Sequence, residues 1–98
     1  MKLREYEDFV AQSAHVKLDN LAYSVIGLCG ETGEVAEWYK KVHMRTKPSS
    51  LTQEDLLSEL GDVLHYVTRI ALHHGWSIKD VMKANKAKLE KRTKCEST

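Results

Sequence analysis

Gly27-Leu28-Cys29-Gly30-Glu31-Thr32-Gly33-Glu34-Val35-Ala36-Glu37-Trp38-Tyr39-Lys40-Lys41 and, after a short break, Leu56-Leu57-Ser58-Glu59-Leu60-Gly61-Asp62-Val63-Leu64-His65-Tyr66 decide how this chain folds. Both stretches place apolar residues at three- and four-residue spacing, the period of an α-helix with one covered face. Each also carries a carboxylate pair three residues apart, Glu31 with Glu34 and Glu59 with Asp62. Such pairs project from one side of a helix with Cβ atoms about 5–6 Å apart. Two such helices packed together bring four acids to one place, an arrangement that is costly without cations. Four carboxylates with no sulfur or paired-histidine set supply the hard oxygen ligands that Mg²⁺ or Mn²⁺ accepts, and leave coordination positions for water and a substrate phosphate. Gly27, Gly30, Gly33 and Gly61 each cost about 1 kcal/mol relative to alanine inside a helix. They therefore ask for a close helix approach or for room beside a bulky ligand.

Working outward, the pattern predicts four helices and no strand. The first runs from about Leu3 to Val16, with Tyr6, Phe9, Val10, Ser13 and Ala14 as a weak apolar stripe. Asp19 and Asn20 offer N-caps for a second helix, Leu21 to His43. The run Thr46-Lys47-Pro48-Ser49-Ser50 breaks the pattern before a third helix, Thr52 to His73, which Gly75 ends. Ser77 and Asp80 open a fourth, Ile78 to Arg92, in the manner of a capping box. The short central break makes the two acidic helices antiparallel neighbours. The expected fold class is all-α, a four-helix bundle in a single domain spanning 1–98.

Composition sets further bounds. Hydrophobic residues make up 42% of the chain and proline occurs once, which fits a helical globular protein. Ninety-eight residues leave a large share of the surface exposed in a lone chain. Two apolar stripes, Leu56, Leu60, Val63, Val67 and Ile70 against Val35, Trp38, Tyr39 and Val42, exceed what four modest helices cover. The bundle is accordingly expected to be completed by oligomerisation, at least as a homodimer. A formal charge of +1 gives no global pull toward nucleic acid. The basic stretch from Lys83 to Lys94 reads as the end of the last helix, where cations suit the dipole. No apolar run spans a bilayer, and Met1 to Glu7 is too charged for a signal peptide, so the expected compartment is the cytoplasm without membrane contact. Cys29 and Cys95 lack metal-type spacing and read as free thiols.

The three segments Gly27 to Val35, Glu59 to Leu64 and Asn85-x-x-Lys88-Leu89-x-x-Arg92 occur in the order found in MazG-like nucleoside triphosphate pyrophosphohydrolases, and the chain resembles that all-α superfamily over roughly Asn20 to Arg92. The resemblance implies a MazG-like bundle in which Glu31, Glu34, Glu59 and Asp62 ligate Mg²⁺. It implies hydrolysis of a (deoxy)nucleoside triphosphate to the monophosphate and pyrophosphate, in a homodimer or homotetramer whose sites collect residues from more than one chain. Within that reading Glu34 is the favoured general base. Lys40, Lys41, Lys88 and Arg92 are candidates for the phosphates, Asn85 for base or sugar, and Trp38 and Tyr66 for base stacking. His65 stands where many relatives carry a large aromatic residue. Phosphoribosyl-ATP pyrophosphohydrolase shares the acid pattern but not the Gly-Leu-x-Gly-Glu entry. A non-catalytic metal-binding dimerisation module is the alternative from outside enzymes. A di-iron bundle is disfavoured, since no Glu has a His three residues later.

Overall fold

The computed structural model describes residues 1–13, 17, 19–44 and 48–96, with side chains to residue 94. Four helices follow in order: α1 (Leu3–Ser13), α2 (Leu21–His43), α3 (Gln53–His73) and α4 (Ile78–Glu96). The expected end of α1 at Val16 and most of the break before Pro48 lie outside the described residues.

Local chemistry sets most of these boundaries. Asn20 Oδ1 accepts the Tyr23 N–H at 3.1 Å and caps α2. Thr52 is the cap of α3 and not its first residue: its hydroxyl accepts the Asp55 N–H at 3.3 Å, while Asp55 Oδ2 accepts the Thr52 N–H at 2.8 Å. The same reciprocal pair opens α4, with the Ser77 N–H on Asp80 Oδ2 at 2.9 Å and the Asp80 N–H on Ser77 Oγ at 3.1 Å. This bonding, with Lys83 nearby, holds the Asp80 carboxyl below its ordinary range. Gly75, at φ 79°, takes the left-handed conformation that stops α3. A second acid serves α4 from a distance, since Glu7 Oε2 on α1 accepts the Ile78 N–H at 2.8 Å.

The bundle is built on the antiparallel pair α2–α3, with α1 and α4 laid against α3 and against each other. Three contacts give the register of the central pair. Near the hairpin end, Trp38 Nε1 donates to the Thr52 carbonyl at 2.9 Å. At mid-height, the Tyr66 ring fills the space above Gly27. At the far end, Arg69 Nε donates to Ser24 Oγ at 3.0 Å. Close approach is thus the reason for Gly27 alone; Gly30, Gly33 and Gly61 have no heavy atom near where a Cβ would stand.

The buried core of the single chain is thin, comprising Val10, Trp38 and Ala71 with the polar Ser24, Thr68 and Arg69 among the described residues. Thr68 satisfies its hydroxyl on the Leu64 carbonyl at 2.7 Å. The sequence stripes are only partly inward. Val10 is fully buried while its neighbour Phe9 is 62% exposed, and on α3 Leu60 is 49% exposed. No helix among the described residues is long and apolar enough to cross a membrane.

Candidate active site and metal centre

Midway along the α2–α3 pair, Glu31 faces Glu59 and Asp62. One carboxylate oxygen from each lies within 4.8 Å of the others. Glu31 and Glu59 are half-buried and Asp62 is exposed, so the trio opens to solvent on one side. Burial, then the charges of Asp62, Glu59 and Glu34, push the Glu31 carboxyl above its ordinary range. Glu59 Oε2 is screened from solvent and has no hydrogen-bond partner. An anionic oxygen in that condition is unfavourable unless a cation answers it. Three hard oxygen donors with one unanswered lone-pair set fit a small divalent cation.

Glu34 stands outside this trio. It is exposed and borders a small adjoining recess with Glu37, Trp38, Lys41, Leu51, Asp55 and Glu59. Its charge still reaches Glu31. The four acids expected together are therefore arranged as three that converge and one alongside, joined through Glu59.

The other expected site residues divide in the same way. Lys41 borders the Glu34 recess and pairs with Glu37 at 3.7 Å, whereas Lys40, one residue round the helix, is exposed. Tyr66 lies one turn beyond Asp62. The Tyr23 hydroxyl, burial and the Glu31 charge push its phenol pKa up, with Arg69 acting against them. His65 meets the Tyr66 ring edge-on at 5.1 Å, and its burial and the Arg69 charge lower its pKa against the pull of Asp62. Trp38, expected as a stacking residue, borders the Glu34 recess and is tied into the helix junction. Only 7% exposed, with its N–H bound to Thr52 and its ring edge-on to Tyr39 at 5.0 Å, it joins α2 to the start of α3.

Among the described residues of one chain, α4 does not meet α2. Asn85 borders a recess against α3 with Leu64, Val67 and Thr68, while Lys88 and Arg92 are exposed on the part of α4 beyond it. The single chain therefore does not bring those two cations to the acids. Conversely, α1 supplies a neighbour that sequence patterning misses. Tyr6, half-buried, has its phenol pKa raised by burial and then by the Asp62 charge. Its place four residues before the buried Val10 was the available signal that it faces α3.

Comparison with known proteins agrees with this architecture. A family profile described as the MazG nucleotide pyrophosphohydrolase domain matches residues 20–95. The Gene 37 protein of Mycobacterium phage L5 is 40% identical over 78 residues, covering 76% of this chain and 68% of the phage protein. Among solved structures, the crystal structure of iMazG from Vibrio DAT 722 shares the fold with a TM-score of 0.64 at 21% identity, over 94% of this chain and 97% of that one. The profile takes in both acidic segments and the start of every helix after α1. With the carboxylate trio at its centre, the chain belongs to the MazG nucleotide pyrophosphohydrolase family.

Proposed function

We propose that this chain is a Mg²⁺-dependent enzyme that hydrolyses (deoxy)nucleoside triphosphates to the monophosphate and pyrophosphate, acting as a single domain over 1–98 in the cytoplasm. The observation that carries the reading is the convergence of Glu31, Glu59 and Asp62 with an unanswered Glu59 Oε2. Those three residues would hold Mg²⁺, with Mn²⁺ as a substitute. When bound, the metal neutralises triphosphate charge and lowers the pKa of coordinated water.

The remaining steps belong to side chains. Glu34, outside the trio yet beside Glu59, has a carboxylate free to accept the proton of the attacking water. Attack at phosphorus with loss of pyrophosphate then leaves the nucleoside monophosphate. Lys41, on the border of the same recess, offers an ammonium to the phosphates, with Lys40 on the neighbouring helix face. Tyr66 offers an aromatic wall for the nucleoside.

Lys88, Arg92 and Asn85 enter through a second copy in this reading, as a homodimer or homotetramer. Support comes from the bare outer half of α4, since a helical stretch with no packed face is marginal in water. A panel of nucleoside triphosphates assayed with Mg²⁺, separating pyrophosphate from orthophosphate, tests the activity; orthophosphate release alone, or no hydrolysis, refutes it. Mixing Glu59→Gln chains with Lys88→Ala chains tests the shared site, because activity recovered on mixing requires both copies at one centre.

A further inference from the structure

Tyr66 is held from three sides. Beneath it, a Cβ at Gly27 would stand 2.5 Å from Cζ and 2.8 Å from Cδ1 of the ring, so only glycine admits the tyrosine at this depth. On one side is His65, edge-on at 5.1 Å. On another is Tyr23, one turn before Gly27 on α2, with ring centroids 6.2 Å apart and planes tilted by 54°. That spacing is within the range of a favourable aromatic pair.

Tyr23 is itself braced. The Arg69 guanidinium lies 5.5 Å from its ring centroid, and Arg69 is 1% exposed, donating to Ser24 Oγ at 3.0 Å and to the Lys17 carbonyl at 3.4 Å. A fixed cation therefore backs Tyr23, which backs Tyr66, which lies one turn from Asp62. Yet Tyr23 remains 42% exposed, so its ring contributes little to the core.

We propose that Tyr23 is a positioning residue: by its ring contact it fixes Tyr66 as the wall against which the nucleoside end of a nucleotide substrate rests beside the carboxylates. An aromatic wall with a phenol tip suits a base or sugar and not a phosphate. The proposal rests on the hydrolase reading above, and its test separates the two.

Steady-state kinetics of wild type, Tyr23→Leu, Tyr23→Phe and Tyr66→Leu, and of the Tyr23→Leu/Tyr66→Leu double variant, use whichever nucleoside triphosphate the wild type hydrolyses best. Tyr23→Leu is expected to raise KM about two- to tenfold, the range set by a lost aromatic pair, with kcat little changed. Tyr23→Phe, which keeps the ring and loses only the hydroxyl contact with Tyr66, restores KM most of the way. In the Tyr66→Leu background the Tyr23→Leu change adds nothing, because the residue it positions is gone. An unaltered KM in folded Tyr23→Leu, or effects that simply add, overturns the proposal while leaving the hydrolase reading intact. A wild type without turnover on any triphosphate overturns that reading and the proposal with it. Should Tyr23→Leu fail to fold by circular dichroism, Gly27→Ala displaces the same ring from below. It must then raise KM when Tyr66 is present and not in Tyr66→Leu; no rise in either refutes the proposal.

Discussion

Neutralising one member of the carboxylate trio is expected to move stability in opposite directions with and without metal. The perturbation is Glu59→Gln, which keeps the shape of the side chain and removes one charge. Its oxygens lie within 4.8 Å of oxygens on both Glu31 and Asp62. Coulomb's law at that distance gives about 1 kcal/mol per pair at the dielectric constant of water and about 3.5 kcal/mol at an effective value of 20. The site opens to solvent through Asp62, so the lower figure applies, and salt at physiological strength, with its Debye length of roughly 8 Å, cuts it to about half. Two repulsive pairs are relieved, worth together about 1 kcal/mol. For a domain of this size, about 1 kcal/mol moves the melting midpoint by roughly 4–8 °C. Metal-free Glu59→Gln should therefore melt higher than metal-free wild type. Saturating Mg²⁺ should reverse the order, since a ligand at about 100 times its Kd adds roughly 2.7 kcal/mol to the protein that binds it. Melts followed by circular dichroism in EDTA and in MgCl₂ at matched ionic strength decide the matter. A variant that melts lower than wild type in EDTA, or gains as much as wild type from Mg²⁺, would show that Glu59 does not stand among repelling carboxylates that share a cation.

Glu34→Gln should nearly abolish turnover yet keep the Mg²⁺-induced rise in melting midpoint, because Glu34 lies outside the converging trio; loss of both together would move it into the metal set. The raised Glu31 pKa fixes the sign of a pH dependence. Its ionisation is costlier in the folded state, so stability relative to Glu31→Gln is greatest below the unfolded value of roughly 4.3 and declines as pH rises to the folded value. Melts of both proteins in EDTA across that window check it, and an opposite slope refutes it. Trp38→Phe should cost about 1–3 kcal/mol through the lost bond to Thr52 and the space left behind, and a denaturation midpoint unchanged from wild type would contradict the joining role.

Much of the helical layout is legible in the sequence because its signals are local. Asn20, Gly75 and the Ser77–Asp80 pair act within one turn, and they place the start of α2, the end of α3 and the start of α4 at the residues observed. Thr52 shows the limit of periodicity. An apolar pattern cannot tell a cap from a first helical residue, although the Asp55 partner is there to be read. The acids are legible as two pairs, but not the separation of Glu34 from the rest, which depends on the register between helices and not on spacing within one. Arg69 is illegible for the same reason. A cation on α3 reads as surface until Ser24, Tyr23 and the Lys17 carbonyl are brought around it. Trp38 illustrates the same limit, since its place one turn from an acid says nothing of the bond by which its N–H ties it to the start of the next helix.

The carboxylate of Glu7 on the Ile78 N–H joins residues 71 apart in sequence. The α2–α3 hairpin needs only a short loop and can form as soon as both of its helices have left the ribosome. The seat of α4 waits for α1 as well as α3, since its first turn is anchored by the first helix. Closure of that ring is therefore expected late in assembly and its opening early in unfolding. Amide exchange in α4 should run fastest among the four helices after α1, and Glu7→Ala should speed it in α4 while leaving the hairpin amides protected.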